Sequence, residues 1–404
     1  MKTRLPPHVF DLPVQELRRG YRSDTYFWRG KMALERANLH PDILMQVFQK
    51  QHAVVAGIDE AIAILHVACG HFSDYLEACN LFDEFVDLKK KGRAVYGSNR
   101  AEYERIMRRK LDLHEELDAL WVSGYADLHI QALFDGDLAT PWESVMHIRG
   151  DAASFLHLET IYLGVLARRT RVATNVRHVV DVANGKSVLF FPARYDHWAV
   201  QGGDGYAAQI GGAHGVSTDA QGEWWGGKGA GTVPHALIAA LGGNTVEAVR
   251  VFGDAYPNVN LVALVDFDND CVATALECAR QLEDKLWAVR LDTSENLVDR
   301  SVLPLMGTIK PTGVIPELVD AVRDALDQAG FPHVRIIVSG GFTPERIAAF
   351  EERGTPVDAY GVGSYFLSDG YDFTADVVET NGQPCAKAGR VRRDNPRLSA
   401  VSPT

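Results

Sequence analysis

Cysteine is scarce in this chain and scattered: Cys69, Cys79, Cys271, Cys278 and Cys385 are odd in number and form no C-x-x-C pair. That spacing excludes a disulfide scaffold and a structural zinc cluster. Long apolar runs are missing as well. None reaches the ~18 residues that span a bilayer, and Met1–Pro13, with its charges and three prolines, lacks the apolar core of a signal peptide. The expectation is a cytoplasmic protein without a membrane partner. Positive charge is in deficit, with 41 Lys and Arg against 53 Asp and Glu and a net charge of −12. General attraction to nucleic acid or anionic lipid is thereby excluded, and an anionic ligand would need a local cluster of Arg, Lys and backbone N–H groups. Internal repeats and low-complexity segments are also absent.

What is present is ordinary globular composition, 46% apolar and 23% charged over 404 residues. The length fits two domains, or one large barrel with additions. The first part of the chain differs from the rest. Asp42–Gln51 and Ile58–Cys69 carry apolar residues at three- and four-residue spacing, and Arg100–Asp118 reads as a charged surface helix. The block Lys89-Lys90-Lys91 reads as a solvated surface run. Ala152–Val165 is a helix candidate. Beyond it, short β-branched or aromatic runs recur at Ser187–Phe191, Leu261–Val265, Leu286–Leu291, Val334–Val338 and Val357–Val362. Amphipathic stretches at Asp270–Leu282, Val314–Ala329 and Pro344–Arg353 alternate with them. Buried strands alternating with helices mean parallel β/α units, and their number over this length fits an α/β barrel better than an open sheet. The last ten residues read as a loose tail.

In such a barrel, function gathers at the C-terminal ends of the strands, and the last two strands often hold a phosphate. Val334–Val338 runs into Ser339-Gly340-Gly341-Phe342-Thr343-Pro344, where glycine lets backbone N–H groups approach an anion, Thr343 suits an N-cap and Pro344 the first helical position. The next strand runs into Gly361-Val362-Gly363-Ser364. These turns are either phosphate loops or merely tight strand-to-helix connections. Two acidic strand ends come earlier, Asp266 to Asp270 and Asp292, the latter with Arg290 two residues before it. Carboxylates beside a phosphate pocket commonly hold Mg²⁺. Asp266, Asp268, Asp270 and Glu277 imitate an EF-hand, but Cys271 stands where the turn demands glycine, so a calcium loop is rejected. Gly222–Gly229 imitates a P-loop but ends in glycine instead of the required Ser or Thr, and reads as a flexible glycine loop. His235, which opens an apolar helix after Gly231-Thr232-Val233-Pro234, is either structural or a catalytic group at the barrel mouth.

Gly231-Thr-Val-Pro-His235 resembles the G-T-x-x-H motif of the nicotinate phosphoribosyltransferase family, the type II phosphoribosyltransferases. The other motifs of that family follow in order: Asp24-Thr25-Tyr26-Phe27, Leu158-Glu159-Thr160, Phe191-Pro192-Ala193-Arg194, Gly215-Val216-Ser217-Thr218, Val265-Asp266, Val289-Arg290-Leu291-Asp292, Ser339-Gly340-Gly341 and Gly361-Val362-Gly363. The resemblance spans about residues 20–395. It implies an irregular α/β barrel with an N-terminal α/β sandwich domain completed by C-terminal residues, here 1–140 plus 368–404 against 141–367. It implies a reaction too: nicotinate and 5-phosphoribosyl 1-pyrophosphate give nicotinate mononucleotide and pyrophosphate, coupled to ATP hydrolysis with Mg²⁺.

By the same resemblance His235 is phosphorylated by ATP, Tyr26 and Phe191 sandwich the pyridine ring, and Arg194 sits near ring and phosphates. Arg290 and Asp292 serve ribose and metal, with Asp266 a second metal ligand. Ser339, Gly340, Gly341, Gly361, Gly363 and Ser364 hold the 5′-phosphate. Ser217 and Thr218 contact the substrate, and serine at 217, where nicotinamide-using relatives carry Asp, favours a carboxylate. A homodimer with shared active sites, placing Tyr26 across the interface, is implied as well. Asp219 departs from the family's usual apolar residue. The alternatives are quinolinate phosphoribosyltransferase, which shares the fold and needs a tighter cationic cluster, and a barrel oxidoreductase binding flavin phosphate. Arg168, Arg169 and Arg171 could be offered as that cluster, but they lie in an apolar helix candidate and are read as facing a subunit or phosphate.

Overall fold

The computed structural model describes residues 3–402, so the outermost two positions at each end of the expected domain bounds and of the expected tail lie outside the described residues. The chain divides into two units, one running up to Thr170 and resuming at Gly370, the other Arg171–Asp369.

The first unit is built on a six-stranded sheet in the order Gln383–Pro384, Phe373–Thr380, Asp42–Gln49, Ser144–Asp151, His129–Ala132, Ser399–Ala400. All five pairings are antiparallel. The segment Asp42–Gln49, expected from its spacing to be helical, is a central strand of this sheet. Every residue from Ile43 to Gln49 is buried, and a strand covered on both faces loses the alternation by which strands are recognised. Helices Ile58–Ala68, Tyr75–Val95 and Arg100–Leu120 complete this part of the unit. Lys89 lies on the second of these and pairs with Glu16.

The C-terminal segment is not a loose tail. Met45 faces Val377, and Ser399 and Ala400 pair with Ala132 and Gln131, so the α/β sandwich is completed by C-terminal residues. The boundary, however, lies thirty residues beyond the expected 140/141, at 170/171. Strand Ser144–Asp151 pairs with Asp42–Gln49, while Leu158, Tyr162 and Leu166 enter the same apolar core as Val47, Ile64 and Ile148. The helix candidate Ala152–Val165 is broken into Ala152–Phe155, a 3₁₀ turn Leu156–Leu158, and a long helix Glu159–Val182. Phe155, His157 and Leu158 are all buried across this break. Arg169, expected to face a subunit or phosphate, is instead buried against Glu60 of its own unit, with Nε 2.9 Å from Oε2.

The second unit is an α/β barrel fold formed by a six-stranded parallel sheet in the order Leu261–Leu264, Leu286–Leu291, Arg335–Val338, Ala359–Val362, Ser187–Phe190, Gly215–Val216. Helices Cys271–Leu282, Pro316–Gln328 and Pro344–Glu352 connect or follow its strands. Their starts are written locally: Asp270 accepts from the Ala273 N–H and Thr343 from the Arg346 N–H, while Pro316 and Pro344 occupy the first turn. No described helix is long and apolar enough to cross a membrane.

Candidate active site

At the C-terminal ends of these strands lies a cavity of about 350 Å³. Successive loops bring Phe191 and Arg194, Ser217 and Thr218, Arg290 and Asp292, Ser339 to Gly341, and Gly361, Gly363 and Ser364 to its wall. Residues far apart in sequence meet there because parallel strands end on one edge. Leu291 pairs with Val338, which sets Arg290 and Asp292 beside Ser339.

Three side chains lock together. The Ser339 hydroxyl donates to Asp292 Oδ1 at 2.6 Å, and Arg290 Nε donates to Ser339 Oγ at 2.8 Å. Arg290 also donates to Thr232 Oγ1 at 3.2 Å and stands 3.3 Å from Asp292 Oδ2. Its guanidinium lies 5.2 Å from the centre of the Phe191 ring. The charge of Arg290 is thereby balanced within the wall.

His235 opens helix His235–Ala240, next to the lining residue Pro234. Its Nε2 is 3.0 Å from Asp266 Oδ1. A carboxylate only accepts, so Nε2 carries the proton and Nδ1 keeps the lone pair in the neutral ring. The hydrogen bond to Asp266 raises the imidazole pKa, with the charges of Asp266 and Asp292 adding to it and burial opposing it. Asp266 is thus committed to His235, and Asp292 to Ser339 and Arg290. Among the described residues no cluster of three or more potential ligands forms a cage for a metal. Asp292 in the cavity wall and Asp266 beside His235 are the carboxylates that could hold Mg²⁺, which takes one or two of them together with ligand oxygens and water.

The two glycine turns differ. Gly340 and Gly341 hold φ of +92° and +66°, conformations that L-residues avoid. Gly361 and Gly363 are needed for space. A Cβ on Gly361 would lie 2.7 Å from Phe191 Cε2, and one on Gly363 2.7 Å from Tyr195 Cε2.

The 217–219 loop corrects one expectation. Ser217 N–H, Ser217 hydroxyl and Thr218 N–H all donate to the amide oxygen of Gln221, at 3.0, 3.1 and 3.1 Å. The donors expected to greet a substrate carboxylate are engaged inside the loop, because Gln221, 1% exposed, closes a capping box with Thr218. Asp219 accepts from the Gly229 N–H at 2.9 Å and ties down the glycine loop. Arg194 is different: among the described residues it has no carboxylate partner, only a contact with the Tyr195 ring at 5.6 Å.

Tyr26 is not among the cavity's lining residues. It belongs to the first unit, on helix Thr25–Arg36, where it is 66% exposed and packs on Phe27 at 4.2 Å. Conversely, Tyr195, Thr232 and Phe342 line the cavity without having been singled out. Thr232 is itself the threonine of the G-T-x-x-H segment, while Tyr195 and Phe342 adjoin Arg194 and Gly341, and that adjacency is the signal the sequence offers.

Residues 172–369 match the family model described as quinolinate phosphoribosyl transferase, C-terminal domain. The nicotinate phosphoribosyltransferase pncB1 of Mycobacterium tuberculosis is 28% identical over 350 residues, 84% of this chain and 66% of that protein. The nicotinate phosphoribosyltransferase of Bacillus subtilis is 23% identical over 355 residues, 86% of this chain and 61% of that one. The chain therefore spans less than two thirds, or barely that, of the curated relatives it matches. Among solved structures, nicotinate-nucleotide pyrophosphorylase from Pyrococcus furiosus superposes with a TM-score of 0.71 at 27% identity, covering 97% of this chain and 85% of that one. Human nicotinic acid phosphoribosyltransferase shares the fold, with a TM-score of 0.60 at 17% identity over 90% of this chain and 75% of that one.

Proposed function

We propose that this chain is a member of the nicotinate phosphoribosyltransferase family of type II phosphoribosyltransferases and makes nicotinate mononucleotide and pyrophosphate from nicotinate and 5-phosphoribosyl 1-pyrophosphate. The observation that carries the choice of acid is the cation balance of the cavity wall. Arg290 is neutralised by Asp292 at 3.3 Å, which leaves Arg194 as the lining cation without an ion partner. One free guanidinium matches one carboxylate, and an unpaired ion in such a site would cost several kcal/mol. Quinolinate, with two carboxylates, would leave one uncompensated. Decarboxylating transfer from quinolinate is the competing activity, since the matching family model carries the quinolinate name.

Ribosyl transfer builds positive charge on the anomeric carbon and negative charge on the departing pyrophosphate, so cations fixed in advance lower the barrier. In this reading Phe191 carries the flat ring and aims its nitrogen at the ribose. That nitrogen needs no general base, since its lone pair is free near neutral pH. Arg290, held in place by Ser339 and Asp292, faces the leaving oxygens. Mg²⁺, held by Asp292 and Asp266, would supply further charge neutralisation at the pyrophosphate. His235, with Nε2 anchored on Asp266, offers Nδ1 to the γ-phosphoryl group of ATP. A second copy of this chain would bring Tyr26 to the other face of the pyridine ring.

The test is to mix the protein with 5-phosphoribosyl 1-pyrophosphate and, separately, nicotinate, nicotinamide or quinolinate, with and without Mg-ATP, and to resolve products by chromatography. Nicotinate mononucleotide from nicotinate, accelerated by ATP, is expected. Carbon dioxide release from quinolinate, with nicotinate inert, would overturn the assignment.

A further inference from the structure

Arg346, the third residue of helix Pro344–Glu352, turns back onto the glycine turn that precedes the helix. Its Nη1 donates to the carbonyls of Gly340 at 2.9 Å and Gly341 at 3.2 Å, and its Nη2 donates to the carbonyl of Val314. The guanidinium lies 4.4 Å from the centre of the Phe342 ring. Burial lowers its pKa, and Glu295 opposes that only through its charge, without a hydrogen bond. A largely buried cation is thus spent on three carbonyl oxygens.

The peptide geometry says what that grip achieves. In a trans peptide the carbonyl oxygen and the next residue's N–H point in opposite directions. Drawing the Gly340 and Gly341 carbonyls back onto Arg346 therefore turns the N–H groups of Gly341 and Phe342 the other way, and both residues line the cavity. Among the described residues neither N–H has an acceptor. The helix N-terminus that follows, capped by Thr343, adds its partial positive charge on the same side.

We infer that Arg346 is the positioning residue of this turn: it pins the carbonyls of Gly340, Gly341 and Val314 so that the Gly341 and Phe342 N–H groups stand ready for the phosphomonoester of a sugar phosphate. The inference rests on the phosphoribosyl reading above. Lysine cannot substitute, because one ammonium on a flexible stem lacks the planar fork that spans three carbonyls.

The probes are 5-phosphoribosyl 1-pyrophosphate and ribose 5-phosphate, titrated by calorimetry into wild type, Arg346→Lys and Arg346→Met, with nicotinate titrated as a control. Ribose 5-phosphate affinity should fall tenfold or more in both variants, with nicotinate affinity within twofold. In turnover, KM for the phosphoribosyl donor should rise far more than kcat falls. A folded Arg346→Lys that binds ribose 5-phosphate as wild type does would overturn the inference. Should both variants unfold, amide NMR of the wild type decides: ribose 5-phosphate must shift the Gly341 and Phe342 signals, and binding without those shifts overturns it equally. Wild type that binds neither phosphate compound would instead overturn the phosphoribosyl reading itself.

Discussion

Two glycines at one strand end, Gly361 and Gly363, separate a steric effect on the ring platform from a general effect on folding. Neither has a positive φ, but Gly363 stands at φ −115° and ψ −101°, outside the regions that L-residues favour. Alanine there carries a backbone cost that shows as a lower melting temperature, whereas the kinetic comparison reads the new methyl group. At Gly361 that methyl would lie 2.7 Å from Phe191 Cε2 and 2.9 Å from its Cδ2, with Ser339 Cβ at 3.2 Å on another side. To regain ordinary contact at about 3.4 Å the ring must move by about 0.7 Å. Such overpacking costs about 1–3 kcal/mol. A misplacement of that size at a reacting group lowers the rate by about 10- to 100-fold. Gly361→Ala should therefore lose 10- to 100-fold in kcat/KM for nicotinate while remaining folded. Gly363→Ala makes the same 2.7 Å approach, but to Tyr195, whose side chain is 52% exposed and can swing into solvent. Its loss should stay within about threefold. Steady-state kinetics with nicotinate varied, alongside thermal melting of both variants, reads the difference. A Gly361→Ala enzyme with wild-type kinetics, or a larger loss at Gly363, would refute Phe191 as the platform.

Much of the second unit is legible because its strands are largely buried apolar runs that end in glycine turns or acidic segments. The expected bounds of Leu286–Leu291 match the observed strand to the residue, and four other strands begin and end within two residues of their expected bounds, while the short sixth strand, Gly215–Val216, carries too few residues to show a pattern. The same burial misled the reading of Asp42–Gln49, where hydrophobic residues on both faces produced a spurious helical spacing. The boundary at 170/171 was invisible for a related reason: the helix Glu159–Val182 runs through it, so no glycine or proline marks the change. In the candidate site, residues that end consecutive strands could be named from sequence, since strand ends converge in any parallel barrel. What could not be read was how the donors are spent. The Gln221 amide oxygen absorbs three of them, a matter of side-chain direction that no spacing encodes. Tyr195 owes its place to the room left by Gly363, again a contact between distant segments.

If His235 is the phosphoryl acceptor, incubation with Mg-ATP adds one acid-labile, base-stable phosphate per chain in wild type and none in His235→Ala; unmodified wild type would remove the ATP-coupling role. Glu159 is held protonated by burial, helped by Asp376 and Asp24, up to a pKa of about 7 from an ordinary 4.5. The unfolded carboxyl ionises first, so the chain loses stability as pH rises from about 4.5 to about 7, by at most about 3 kcal/mol. Glu159→Gln should accordingly raise the denaturation midpoint at pH 8 more than at pH 5, and an equal gain at both would contradict the shift. Shared active sites predict that a Tyr26→Ala chain and an Asp292→Asn chain, each inactive alone, regain part of the activity when refolded together; no recovery with a monomeric mass in solution counts against sharing. Residues 217 and 219 should part company in specificity. Asp219 spends its carboxylate on the Gly229 N–H at 2.9 Å, a bond that asparagine can keep through its carbonyl oxygen, so Asp219→Asn should leave the ratio of nicotinate to nicotinamide use within about twofold. Ser217 lines the cavity, and its neighbouring donors are already taken by Gln221, so an aspartate there has no loop N–H to neutralise it. Its charge would instead compete with the substrate carboxylate for Arg194 and accept from an amide. Ser217→Asp should thus move preference towards nicotinamide by at least about tenfold, about 1.4 kcal/mol. If Asp219→Asn makes that switch while Ser217→Asp leaves the ratio unchanged, the loop faces the substrate with a different side chain from the one its hydrogen bonds indicate.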